Sequence, residues 1–216
     1  MRYLFSLITG VYGWAVAQGL PLWRSFTEDE YGAYTYVRAI VQDRETGLLY
    51  IGTNQGVSEY DGQRWRFYPT PSLIRALAIS PNHRIWVGAI GDLGELRTDS
   101  VGQLRYVSYR GFLPKDKQQF GDVEAIFTDS ENRVFFIAQK GVVYIDGAQL
   151  AVAPKVWSVG EGVRIAGSGQ VGNEIWVNLQ GGGGLHRVSP NGFEPVPGGK
   201  LFDEKYLSGI VEIDRN

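Results

Sequence analysis

The chain has 216 residues, 44% of them hydrophobic, and 21 Lys and Arg against 23 Asp and Glu leave a formal net charge of -2. That length and apolar content bury a real core and exclude a disordered chain, and the absence of a basic block argues against nucleic acid as a partner of this part. Cysteine is absent and His83 and His186 are the two histidines, so disulfides, thiol nucleophiles and cysteine-ligated zinc are excluded, and neither a metal site nor a cofactor is expected.

Residues 1–17 read as a signal peptide: Arg2 gives a positive start, Leu4 to Val16 is mostly apolar, and Ala15-Val16-Ala17 fits a small-x-small cleavage site. A buried first strand is the alternative for the same run, which falls short of the roughly 20 residues of a membrane-spanning helix. Residues 18–36 form an N-terminal arm in which Leu22-Trp23-Arg24-Ser25-Phe26 has the composition of a ring-closing strand. Glu28-Asp29-Glu30 reads as a solvated turn in preference to a cation site.

One pattern then recurs: an apolar strand, a polar turn, a strand with a central aromatic, glycine and a third strand. It spans 37–73, 74–122, 123–162 and 163–206, and Leu207-Ser208-Gly209-Ile210-Val211 opens a fifth copy over 207–216. The central aromatics are read as Tyr50, Trp86, Phe136 and Trp176, spaced 36, 50 and 40 residues apart, near the roughly 40 to 45 of a four-stranded propeller blade. Arg110 to Asp122 is an insertion that widens the middle interval and is either a binding loop or a tolerated one. Asp61-Gly62 and Asp146-Gly147 are hairpin-turn pairs, and Gly52 and Gly88 permit close backbone approach. The fold class is therefore all-β, a β-propeller of about four four-stranded blades plus the start of a fifth, in an incomplete ring.

The segment Leu48-Leu49-Tyr50-Ile51-Gly52-Thr53-Asn54-Gln55-Gly56-Val57-Ser58-Glu59-Tyr60-Asp61-Gly62 resembles the repeat of the two-component regulator propeller family. Ile74-Arg75-Ala76-Leu77, Arg84 to Ala89 and Gly91 to Leu96 look like the next repeat, so the likeness covers roughly residues 20–150 well. The resemblance implies the periplasmic sensor region of a bacterial signalling protein whose membrane helix and output domain lie downstream. It implies an oligosaccharide or another small extracellular ligand as partner. Contact with a membrane would come through that downstream helix alone, and unpaired blade edges leave room for a homodimer.

The second residue of each inner strand is Arg38, Arg75, Glu124 or Arg164, and inner strands line a propeller's channel, so these four are the candidate ligand-binding residues. No catalytic residue is assigned. Gly167-Ser168-Gly169-Gln170-Val171-Gly172 matches a dinucleotide glycine pattern but precedes a strand where a pyrophosphate site needs a helix. Gly181 to Gly184 lacks the Lys-Ser/Thr ending of a phosphate loop. Two alternatives stay open: a stand-alone carbohydrate- or protein-binding propeller, and a propeller lyase or glycosidase.

Overall fold

A computed structural model describes residues 24–31 and 36–213. Its strands form four separate antiparallel sheets of four, each strand pairing with its neighbour in sequence, so every repeat is one blade. Blade 1 holds β1 (Ala39–Gln42), β2 (Leu49–Gly52), β3 (Gly56–Tyr60) and β4 (Trp65–Pro69); blade 2 holds β5 (Ile74–Ile79), β6 (Ile85–Ala89), β7 (Asp92–Thr98) and β8 (Leu104–Ser108). Blade 3 holds β9 (Val123–Thr128), β10 (Arg133–Ala138), β11 (Gly141–Asp146) and β12 (Lys155–Ser158), and blade 4 holds β13 (Arg164–Val171), β14 (Glu174–Gln180), β15 (Gly184–Ser189) and β16 (Gly192–Pro195). The first strands of successive blades contact one another, β1 with β5 and β5 with β9. The chain is an all-β propeller.

Aspartates make the tight connections because a carboxylate caps the backbone N–H groups that a turn leaves unpaired. The Oδ1 of Asp61 accepts from the N–H of Gln63 at 2.9 Å and of Arg64 at 2.7 Å. Asp99 does the same for Val101 and Gln103, and Asp129 for Glu131 and Arg133.

Packing between blades supplies the core, as three clusters. Tyr50, Val57, Ile74, Leu77 and Val87 join blades 1 and 2; Trp86, Leu93, Val123, Val134 and Phe136 join blades 2 and 3; Phe135, Val142, Ile165, Val177 and Leu179 join blades 3 and 4. This arrangement corrects the aromatic series read from the sequence. Tyr50 and Trp86 face the blade that follows them, and in blade 3 that role belongs to Phe135, which packs toward blade 4. Phe136 points back, edge-on to Trp86 with ring centroids 6.0 Å apart. Two adjacent aromatics in β10 look alike in sequence, and the period of two sends them to opposite faces. Trp176, the counterpart in blade 4, is half-buried and belongs to none of the three clusters.

The insertion is part of the core. Two 3-10 turns, Arg110–Phe112 and Lys115–Lys117, carry the chain past the blade edge, and Tyr109, Leu113 and Phe120 are buried in the cluster between blades 2 and 3. Only Phe112 of its large apolar side chains is exposed.

The two ends of the described chain differ from expectation. The signal segment, and Leu22 and Trp23 of the closing strand, lie outside the described residues. Arg24, Ser25 and Phe26 form no strand; Phe26 instead packs edge-on against Tyr60 and Trp65 at 4.9 and 5.3 Å, and Arg24 pairs with Glu30. Glu28-Asp29-Glu30 forms the first turn of a short helix, Glu28–Tyr31, with Glu30 accepting from the Thr27 N–H at 2.8 Å. At the other end residues 207–213 form no strand, and Asp214 lies outside the described residues. Leu207 and Ile210 donate to the carbonyls of Ala166 and Ser168 in β13, a strand whose ladder is interrupted between Ile165 and Ser168. A broken ladder cannot template a regular neighbour.

Glycine is needed where blades touch. A Cβ on Gly88 would stand 2.5 Å from Val123 Cγ1, and one on Gly52 would stand 2.5 Å from Ile74 Cγ2, the same contact one blade earlier. Gly88→Ala is expected to destabilise the protein by about 1–3 kcal/mol through overpacking. Trp86→Ala, at a fully buried position, is expected to cost about 3–5 kcal/mol. Urea denaturation of both variants against the parent measures these effects, and a midpoint unmoved by Trp86→Ala would contradict the assignment of the second cluster.

Candidate functional site

Backbone irregularity at the inner strands decides where their charged side chains go. The β5–β6 register shifts between Ile74 and Ala76, and the β10–β9 register shifts around Val123 and Ala125, so Arg75 and Glu124 each occupy a bulge. A bulge inserts an extra residue, bends the strand and re-aims its side chain. In blade 4 the irregularity follows Ile165, and Arg164 pairs opposite Gln180. Arg75, Glu124 and Arg164 all line one cleft of about 790 Å³ at the inner strands of blades 2, 3 and 4. Arg38 is not among its lining residues; it precedes β1, where no register shift occurs, and its guanidinium lies 5.8 Å from the Tyr36 ring centroid.

Inside the cleft the charges fall into two groups. Arg75 donates to Glu124 Oε1 at 2.6 Å across the gap between blades, and Asp122 stands 4.0 Å from the same guanidinium. The hydrogen bond to Glu124 holds Arg75 above the usual guanidinium range, with partial burial opposing it. Glu124 also accepts from Gln139 Nε2 at 3.0 Å. Arg164 donates through Nε to Gln180 Oε1 at 2.7 Å. Lys140 and Tyr206 join the lining, and Tyr206 is 71% exposed. The floor is apolar, built on Ile137, Ala138, Ile165 and Ala166.

Lys140, Gln139 and Tyr206 were not singled out in the sequence. Gln139 and Lys140 follow the last residue of β10, and that position beside the inner-strand bulge is a signal the repeat alignment contains. Tyr206 arrives from beyond blade 4 and leaves no signal in any single repeat. Among the described residues no group of three His, Cys, Asp or Glu side chains is arranged to hold a metal ion.

A second, shallower hollow of about 420 Å³ lies at the hairpin ends of blades 1 and 2, lined by Asp43, Glu45, Ser80 and His83 among others. His83 adopts a left-handed backbone, φ 59°, as does Asn132 at φ 61°. Both reach back to the preceding blade: His83 Nδ1 lies 2.9 Å from Asp43 Oδ2, and Asn132 Oδ1 accepts from the Asn82 N–H at 2.9 Å. His83 Nε2 is 2.8 Å from Glu45 Oε2. The hydrogen bond to Asp43 raises the His83 pKa above its ordinary value, reinforced by the charges of Asp43 and Glu45 and opposed by desolvation. For Asp43 burial acts upward, but hydrogen bonds from the Glu45 N–H, His83 and Thr46 outweigh it and lower its pKa.

A raised histidine stabilises the fold fully below its unfolded pKa and loses that contribution as pH rises through the folded value. Between about pH 5.5 and about pH 8.5 the parent should therefore lose more stability than His83→Gln, as read from urea midpoints. Parallel pH profiles for the two proteins would show that the contact of His83 with Asp43 and Glu45 carries no charge-dependent energy.

No family model matches the sequence, and no curated protein matches it. Solved structures do. Catalytically inactive virginiamycin B lyase from Staphylococcus aureus, solved with quinupristin, is 13% identical over 80% of this chain and 58% of that chain, with a TM-score of 0.56. The extracellular domain of the hybrid two-component system BT4673 from B. thetaiotaomicron is 19% identical over 78% of this chain and 23% of that chain, TM-score 0.52. That of BT3049 from the same organism is 20% identical over 72% of this chain and 22% of that chain, TM-score 0.52. At such identities the likeness is one of fold: a sensor domain and a lyase share the blade architecture with this chain. The chain spans less than a quarter of the two sensor domains and somewhat more than half of the lyase.

Proposed function

We propose that this chain is the extracytoplasmic ligand-sensing propeller region of a bacterial signal-transduction protein. Its ligand site in this reading is the inner-strand cleft of blades 2 to 4, and its ligand is an oligosaccharide or another small polar molecule. The observation that carries the reading is the convergence of Arg75, Glu124 and Arg164, from three different blades, on one cleft of about 790 Å³. That volume lies within the roughly 300–1,000 Å³ of small-molecule sites. The repeat resemblance over residues 20–150 and the likeness to two extracellular sensor domains support the sensor assignment. A place outside the cytoplasm follows from the same reading, through the signal segment at 1–17.

The fold shared with a lyase keeps an enzyme as the second reading. Glycoside hydrolysis needs two carboxyl groups flanking the scissile bond. Glu124 is the carboxylate among the cleft's lining residues, and it is occupied by Arg75 and Gln139.

Two measurements on the purified protein separate the readings. A ligand at a hundredfold excess over its dissociation constant should raise unfolding stability by about 2.7 kcal/mol, and a screen of extracellular oligosaccharides by thermal shift looks for that gain. Incubation with the same panel should yield no cleavage products. Turnover that Glu124→Gln abolishes would replace the sensor reading with the enzymatic one.

A further inference from the structure

The cleft's cations are not equivalent. Arg75 is neutralised across the blade gap by Glu124, with Asp122 nearby. Arg164 and Lys140 have no carboxylate partner among the described residues; Arg164 contacts only the neutral amide of Gln180, and Lys140 lines the cleft without an ion pair. The lining residues comprise three bases, Arg75, Lys140 and Arg164, and one acid, Glu124, and with Asp122 at the edge beside Arg75 the cleft still keeps a positive excess. Arg164 spends its Nε on Gln180, and a guanidinium fixed through Nε presents its two terminal nitrogens as a ready fork for two oxygens of one anion. The Lys140 ammonium, lining the same cleft from blade 3, adds a point charge of the same sign. Walls of low dielectric concentrate that potential toward a bound group.

We infer that the cleft selects an anionic saccharide, its carboxylate or sulfate held by Arg164 and Lys140, while the Arg75–Glu124 pair meets neutral hydroxyls and the Tyr206 ring covers a sugar face. This rests on the cleft being the ligand site, as proposed above. The fixed pair suits hydroxyls because its guanidinium donates and its carboxylate accepts, so a hydroxyl can accept from Arg75 and donate to Glu124, whereas a second anion would be repelled by Glu124. The exposed Tyr206 ring offers an apolar body with a polar tip, the amphipathic surface that sugar rings also present.

The test uses one trisaccharide backbone in three forms: galactotriose, sulfated galactotriose and trigalacturonate, each titrated calorimetrically against the full chain. At least one charged form should bind about tenfold or more tightly than galactotriose, the worth of one charge-assisted hydrogen bond set, and should weaken as salt is raised. Which charged arm binds separates a sulfate from a carboxylate. Arg164→Gln and Lys140→Gln should each lose about tenfold for the charged form and distinctly less for galactotriose, so that the preference for the charged form shrinks. Equal binding of all three sugars, abolished by Glu124→Gln, would overturn the charge inference and keep the cleft. Charged-sugar binding that ignores both substitutions would overturn the placement on Arg164 and Lys140. No binding of any form would overturn the inference and count against the saccharide reading of the cleft with it.

Discussion

The structure depends on one constraint: a twisted sheet of four short strands has two faces and cannot bury either without another sheet. Each blade of this chain meets that constraint by packing on its neighbours, which is why the core is three clusters at three junctions and not one central mass. Trp86 illustrates the consequence. It is completely buried although it belongs to a four-stranded blade, because Phe136 and Val123 of the next blade, together with Leu113 of the insertion, close over it. Stability of such an array is approximately a sum of blade and junction contributions.

Close junctions set local rules that would otherwise look arbitrary. Gly52 and Gly88 mark where the next blade's first β-branched residue presses on the sheet. The hairpins are also tied from blade to blade, by His83 to Asp43 and by Asn132 to Asn82, both through residues in the left-handed conformation. That conformation is uncommon for residues with a side chain, and Asn and His are among those that tolerate it best. Here it turns the side chain back across the junction, so the same position recurs in blades 2 and 3 with a different hydrogen-bonding group in each.

The cleft is the other product of packing blades around shared inner strands. Register irregularities at the starts of β5, β9 and β13 disturb the ladder where a regular strand would continue. In β5 and β9 they put Arg75 and Glu124 at the bulge itself, in β13 Arg164 stays in register just before the break, and β1, with no such irregularity, contributes no charged side chain to the cleft. Unequal pairing then divides the cations: one is consumed in holding two blades together, and two retain free charge.

Period and composition by themselves determined the four repeats that form blades, their first three strands and the Asp61-Gly62 turn, because these are local: alternation of apolar residues sets a strand, and Asp next to Gly sets a turn; the fourth strands of blades 3 and 4 carry no comparable repeat signal. They also placed Arg38, Arg75, Glu124 and Arg164 at one repeat position, of which the last three line one cleft. What tertiary structure alone decided is everything that depends on which blade a face meets. Phe135 and Phe136 are interchangeable as symbols in a strand and differ only in the sheet they touch. The insertion reads as a loop and is core because Leu113 and Phe120 find a junction to fill. Arg38 shares the repeat position of the other three and not their cleft, and the Arg75–Glu124 pair spans residues 49 apart in sequence. Pairing across a junction is a property of distance in space, and no periodicity along the chain encodes it.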